Sequence, residues 1–171
     1  MTNSLPSCEC GRDDLARRET MGLTPLEDLI LDVSRLIFDI HGNGNGAAWL
    51  TAIDLTEQAA GPGTGPLLLA RATAFVRAML AERQGCFQFL TAGCRHMTQH
   101  EVAMLEVLKS ARGKDWHALN YMAQSLAGAE SVQRIVSSAL TLAGPISGGT
   151  PVNPGSGETA VEPLANGVVW H

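Results

Sequence analysis

The chain has 171 residues, of which 45% are hydrophobic, 17% charged and 5% aromatic, and its formal net charge is −5. This length and apolar fraction are typical of one globular domain that folds around its own core. No apolar run approaches the roughly 18 to 20 residues that a membrane-spanning helix needs, and the polar N-terminus does not resemble a secretion signal. We therefore expect a cytoplasmic protein that makes no contact with a membrane.

The 12 Lys and Arg residues are mostly scattered and are outnumbered by the 17 Asp and Glu residues. Binding to a phosphate backbone depends on clustered cations, so this balance argues against a general affinity for nucleic acid. The partners that remain are another protein, a small ligand or a second copy of the chain. Four cysteines are too few for a disulfide framework, and we expect them to be free thiols or metal ligands.

The N-terminal part divides into an arm and a first helix. Residues 1–22 show no sustained periodicity and are predicted to be a flexible arm. Thr24 and Glu27 have the spacing of a capping box, which predicts a helix from Pro25 to about His41. The predicted core face of this helix is apolar: Leu26, Leu29, Ile30, Val33, Ile37 and Ile40. Its predicted solvent face is charged: Glu27, Asp28, Asp32, Arg35 and Asp39.

Glycine-rich stretches at residues 42–46 and 61–66 separate the first predicted helix from the second and the second from the third. These helices are predicted at about 47–60 and 67–83. Residues 85–95 have no clean helical period, which predicts an irregular connector.

Three further helices are predicted after the connector. A second capping box, formed by Thr98 and Glu101, begins a fourth helix that ends near Ala111. Asp115 caps a fifth helix, whose predicted buried face consists of Trp116, Leu119, Ala123 and Leu126. The sixth helix extends from about residue 131 to 143, with its core positions at helical spacing: Val132, Ile135, Val136, Ala139, Leu140 and Ala143.

The fold class predicted from these signals is all-α, a single compact bundle of about six helices over residues 23–143. Residues 144–171 are rich in Gly, Pro, Ser and Thr and are predicted to be a disordered tail. The tail carries an apolar segment, Val168 to Trp170, that is available to dock or to bind a partner.

The densest group of possible metal ligands surrounds the start of the fourth helix. Cys94, His96 and His100 combine thiolate and imidazole in a way that suits zinc or iron. Cys86, or the arm cysteines Cys8 and Cys10, would complete the site. The alternative interpretation is that the histidines are solvated residues around a helix cap and that Cys86 and Cys94 are small buried side chains. No other cofactor is indicated.

Helices four to six also resemble the LuxR-type helix-turn-helix pattern, from Thr98-x-x-Glu101 through Leu105, Leu108, Ala123, Leu126 and Val132 to Leu142 and Gly144. The resemblance implies a DNA-binding regulator whose sixth helix reads base edges through Gln133, Arg134, Ser137, Ser138 and Thr141. The segment between its first two helices is several residues longer than the pattern. Arg134 is the one cation of the sixth helix.

No set of residues forms a recognised catalytic signature, which favours a non-enzymatic role. The leading functional hypothesis is a regulatory or accessory protein that acts through a helical surface for a protein or a small ligand. A metal- or redox-responsive protein that uses Cys94, His96 and His100 and a DNA-binding regulator remain as alternatives.

Overall fold

The computed structural model describes residues 15–145, and within them the chain folds into six α-helices. Their bounds are α1 Pro25–Asn43, α2 Ala47–Ala60, α3 Gly65–Glu82, α4 Gln99–Gly113, α5 Trp116–Ala127 and α6 Gln133–Ala143. Two short strands, β1 Ala16–Arg17 and β2 His96–Met97, pair in antiparallel register. The predicted all-α bundle is confirmed. Residues 1–14 and 146–171, which hold most of the predicted arm and tail, lie outside the described residues.

The predicted helix starts follow the local capping signals. Thr24 accepts a hydrogen bond from the backbone N–H of Glu27, whose carboxylate binds the N–H of Thr24 in return. Thr98 and Glu101 repeat this reciprocal arrangement at α4, and the Asp115 side chain caps α5. These contacts satisfy backbone donors that have no partner inside the helix.

Several helix ends differ slightly from the prediction. Helix α1 extends to Asn43 and stops at Gly44, which adopts the left-handed conformation with φ of 68°. Helix α3 begins at Gly65, earlier than predicted, because Pro66 is accommodated in its first turn. At α6 the N-cap is Val132, whose side chain makes no capping hydrogen bond.

The helices form two groups that share one core. Helix α2 packs against α1 and α3, and α4 packs against α5 and α6. The groups meet where α3 packs against α6 and where α1 crosses α4. Fully buried side chains from both groups fill the centre, including Leu31, Phe75, Met104, Leu105 and Leu119.

Arg35 corrects the predicted solvent face of α1. Its side chain is 1% exposed and forms an ion pair with Glu101, which is equally buried. Glu27, also predicted on the solvent face, is buried and accepts a hydrogen bond from Arg112 of α4. Helices α1 and α4 are therefore joined by two reciprocal ion pairs, each of which uses the glutamate of one capping box and an arginine of the other helix.

The last residues of the predicted arm lie against the bundle. Residues 16–17 pair with β2, and the Arg18 guanidinium binds the carboxylates of Asp28 and Asp32 on α1. Burial lowers the pKa of Arg18, whereas its hydrogen bonds to Asp32 and Asp28 raise the pKa, and the net shift is upward. A salt bridge shared among three side chains thus holds the beginning of the described chain in place.

Candidate functional site

The residues predicted to bind a metal lie around the connector but do not converge. Cys86 is exposed, Cys94 is partly buried, and both are free thiols. His96 is exposed in β2, where it pairs with Arg17, while His100 lies in the first turn of α4. Within residues 15–145, no three His, Cys, Asp or Glu side chains lie close enough to hold a metal ion together. Zinc or iron therefore has no assembled ligand set in this part of the chain, and Cys8 and Cys10 lie outside it.

Both ring nitrogens of His100 already face protein groups. Its Nδ1 accepts a hydrogen bond of 2.9 Å from the backbone N–H of Gln88, and its Nε2 lies 2.9 Å from the Arg83 guanidinium. The ring also packs near Phe87, at 5.6 Å between centroids. A metal ion at His100 would have to displace one of these groups. His100 is thus partly buried and anchored, which differs from the interpretation of a solvated histidine.

The connector is held by Arg35, which the sequence interpretation placed in solvent. The guanidinium donates to both carboxylate oxygens of Glu101, at 2.7 and 3.0 Å. It also donates to the backbone carbonyls of Thr91, Cys94 and His96. A guanidinium has five N–H donors, and these contacts engage all five. Arg35 therefore has no donor left for a ligand, and its role is to fix the connector.

Asp32 and Arg18 hold the same segment from outside. The Asp32 carboxylate accepts from the backbone N–H of Gly93, and Arg18 donates to the carbonyl of Cys94. The Cys94 carbonyl consequently accepts hydrogen bonds from two arginines. Arg18, Asp32 and Arg35 thus direct hydrogen bonds to the backbone of the connector, and this arrangement is typical of a structural role.

The pKa of His100 is lowered by its surroundings. Burial and the positive charge of Arg83 lower it from the ordinary value of 6.5, and the Glu101 carboxylate opposes the shift. Protonation would also place an N–H on Nδ1, where the ring now accepts from Gln88. The folded protein therefore resists protonation of this ring.

We expect stability to fall as the pH is lowered through 6.5. The unfolded chain binds a proton at His100 near that pH and the folded chain only at a lower one, so acid favours the unfolded state. The measurement is urea unfolding between about pH 7 and about pH 5. His100→Asn is the matched control, because its amide oxygen retains an acceptor for Gln88 without titrating. Equal pH slopes for the two proteins would contradict this expectation.

A surface cleft lies between α5 and α6, in the group of helices formed by α4, α5 and α6. Its volume is about 750 Å³, and it is open to solvent. Most of its lining residues are polar, and its apolar lining comes from one face of α6, where Val136 and Leu140 are partly buried and Val132 is almost fully buried. Among the described residues that line it, Glu130 carries the only charge. We call this feature the α5–α6 cleft.

Helix α5, which contributes Asn120 to the cleft, also carries two exposed aromatic side chains. Trp116 is 59% exposed and Tyr121 is 64% exposed, both on α5. The side chain of Asn120, which lines the cleft, donates to the carbonyl of Trp116 one turn earlier. Large aromatic residues exposed on one helix are typical of binding surfaces. The sequence interpretation missed this site, since Trp116 was assigned to the buried face of its helix.

Comparisons with protein families, with curated proteins and with solved structures find no match for this chain. Within the described part of the chain, no helix is both long and apolar enough to cross a membrane. A candidate function is therefore inferred from the surface features of this chain.

In the helix-turn-helix resemblance, α6 is the helix that would contact DNA bases. Gln133 and Arg134 are exposed there. However, the backbone N–H groups of Arg134 and Ile135 both donate to the carboxylate of Glu82 on α3. A carboxylate thus occupies the helix N-terminus, where a DNA phosphate would otherwise be attracted. This contact does not favour DNA binding through α6.

Proposed function

We propose that this chain is a non-enzymatic accessory or regulatory protein that binds an apolar segment of a partner protein at the α5–α6 cleft. The observation that carries the proposal is the exposure of Trp116 and Tyr121 on α5, the helix whose Asn120 lines the cleft. Trp and Tyr are enriched among the residues that dominate binding energy at protein interfaces.

The shape of the cleft favours a polypeptide over a small ligand. Small-molecule sites usually enclose most of the ligand surface, whereas this cleft is open along α6. Val136 and Leu140 present partly exposed apolar surface one turn apart on α6, which suits the regularly spaced anchors of an amphipathic helix. The polar side chains of Asn120 and Ser137 border this surface and would contact the polar rim of such a partner.

Site-directed photocrosslinking tests the proposal. Two variants of the chain carry the photoreactive residue p-benzoylphenylalanine. It replaces Tyr121 in the first variant and Leu50 of α2 in the second. These positions are matched because they are 64% and 66% exposed. We expect a discrete adduct with one protein of the source extract from position 121 and none from position 50. No adduct, or the same adducts from both positions, would contradict the proposal.

Binding of the purified partner then provides a quantitative test. Trp116→Ala is expected to weaken its affinity at least roughly tenfold, as truncation of an aromatic hot-spot residue does. Because the Trp116 side chain is mostly exposed, the variant should keep the circular dichroism spectrum and thermal stability of the original chain. Unchanged affinity would place the partner elsewhere on the surface.

A further inference from the structure

The beginnings of α1 and α4 repeat one pattern of sequence and burial. Each helix has a threonine N-cap, Thr24 or Thr98, that forms a capping box with a glutamate. Residues 27–34 and 101–108 then alternate between buried and partly exposed positions in the identical order. The two helices therefore present matching faces to the core.

The repetition continues through the other helices of each group. Trp49 of α2 and Trp116 of α5 are both exposed, and they lie equally far before the glycines that end these helices, Gly61 and Gly128. The same interval relates buried residues of α2 and α3 to buried residues of α5 and α6: Ala52 to Leu119, Thr56 to Ala123, Leu68 to Ile135, Ala72 to Ala139 and Phe75 to Leu142. The chain thus divides into a first unit, α1–α3, and a second unit, α4–α6.

The packing of the two units has the reciprocity that a two-fold axis produces. Equivalent helices meet across the centre, α1 with α4 and α3 with α6. Glu27 of the first unit binds Arg112 of the second, and Glu101 of the second binds Arg35 of the first. The glutamates occupy equivalent positions, whereas the arginines differ by about one turn. In a two-fold interface the same surface serves both sides in this way.

The two units differ where their second and third helices meet. In the first unit α2 packs along α3, and a Cβ atom at Gly65 would lie 2.8 Å from backbone atoms of α2. Leu69, one turn later, is only 4% exposed. The equivalent residues of the second unit are Val132 and Val136, which both line the α5–α6 cleft. Helices α5 and α6 touch at few positions, and Val136 is left partly exposed.

The facing helix differs at this junction as well. Ile53 of α2 packs against the core, whereas the equivalent residue of α5 is Asn120, which is exposed and lines the cleft. Burial of an amide is costly unless its hydrogen bonds are satisfied, so asparagine favours a wet junction where isoleucine favours a closed one. The side chain of Val132 also occupies the position at which glycine permits close approach of the helices. Both differences act to separate α5 from α6.

We propose that the chain is an internal duplication of a three-helix unit, and that Asn120 and Val132 hold open the junction of the second unit. These two are positioning residues, and Ile53 and Gly65 are their counterparts in the closed junction of the first unit. The inference rests on the proposed function only for its consequence, that a partner binds the second unit and not the first. Divergence after duplication thus frees one apolar face, that of α6, without loss of the shared core.

The solvent accessibility of Val136 in the full chain tests the proposal. Asn120→Ile with Val132→Gly gives the second junction the residues of the first. A soluble gadolinium chelate enhances the nuclear magnetic relaxation of exposed methyl groups, and no partner is needed. We expect the enhancement at Val136 to be lost in the double variant and to reach the low level of Leu69 in the same protein. Circular dichroism of each variant checks that the helices are retained.

A matched control separates closure of the junction from general effects of substitution. Ser125→Ile with Val132→Gly adds the same aliphatic side chain to an exposed position of α5 that does not line the cleft. Val136 should remain accessible in this control. Because Val132 is buried, Asn120→Ile with Val132→Ala serves as a second variant that retains more apolar volume, and it should also protect Val136.

Two results would overturn the inference. The first is unchanged relaxation of Val136 in the folded Asn120→Ile variants. The second is equal protection of Val136 in the Ser125→Ile control. Neither result depends on photocrosslinking, so the two proposals fail separately. With p-benzoylphenylalanine at position 121, a closed junction should abolish the adduct, and an adduct that persists would contradict the proposed function alone.

Discussion

Replacement of Arg35 by methionine is expected to lower the free energy of unfolding by about 3–5 kcal/mol, the range typical for removal of one member of a buried ion pair. Methionine retains much of the aliphatic volume, so the main effect is that Glu101 keeps a buried carboxylate without its cation. The carbonyls of Thr91, Cys94 and His96 also lose their donor. Urea unfolding at neutral pH measures the change.

Two controls separate the buried charge from general effects of substitution. Lys109→Met removes a cation from a partly exposed pair with Glu106, and it should change stability by no more than about 1 kcal/mol. Adding Glu101→Gln to Arg35→Met removes the orphaned charge and should recover part of the loss. An Arg35→Met variant as stable as the Lys109 variant would show that the pair does not anchor the connector.

The helix boundaries were predictable because the signals that set them are local. Thr24 and Thr98 each contact a glutamate three residues further along the chain. A contact of this kind depends on residues that are adjacent in any helical conformation, so spacing alone indicates it. The same reasoning located the Asp115 cap of α5.

The buried ion pair was not predictable because its members are far apart in sequence. Arg35 and Glu101 are separated by 66 positions. An arginine between apolar residues fits either a solvent face or a core face, and only the crossing of α1 and α4 decides between them. The available signal was that Leu31 and Phe38, one turn before and after Arg35, are both apolar and share its face.

The cleft escaped prediction for a related reason. The periodicity of α6 places Val136 and Leu140 on its apolar side, but it does not say whether a neighbouring helix covers them. The structure leaves both residues only partly buried, next to Asn120 of α5. Likewise, the histidine and cysteine spacing that indicated a metal site could not show that Gln88 and Arg83 contact the ring of His100.

Replacement of Gly65 by alanine is expected to destabilise the bundle by about 1–3 kcal/mol, as overpacking of a close helix contact usually does. Gly65 is the first residue of α3, and a Cβ atom there would lie 2.8 Å from backbone atoms of Thr56 and Glu57 on α2. Backbone cannot move aside as a flexible side chain can, so the two helices would have to separate. Chemical denaturation of the variant measures the effect.

The sign of the change in stability makes this experiment decisive. Replacement of glycine by alanine normally stabilises a protein where φ is not left-handed and the Cβ atom has space. Gly63 lies in the same turn, its φ is outside the left-handed range, and nothing lies within 4 Å of a Cβ atom there. Gly63→Ala should therefore be neutral or stabilise by up to about 1 kcal/mol through reduced entropy of the unfolded chain. If Gly65→Ala matched Gly63→Ala, α2 and α3 would not depend on close approach at their junction.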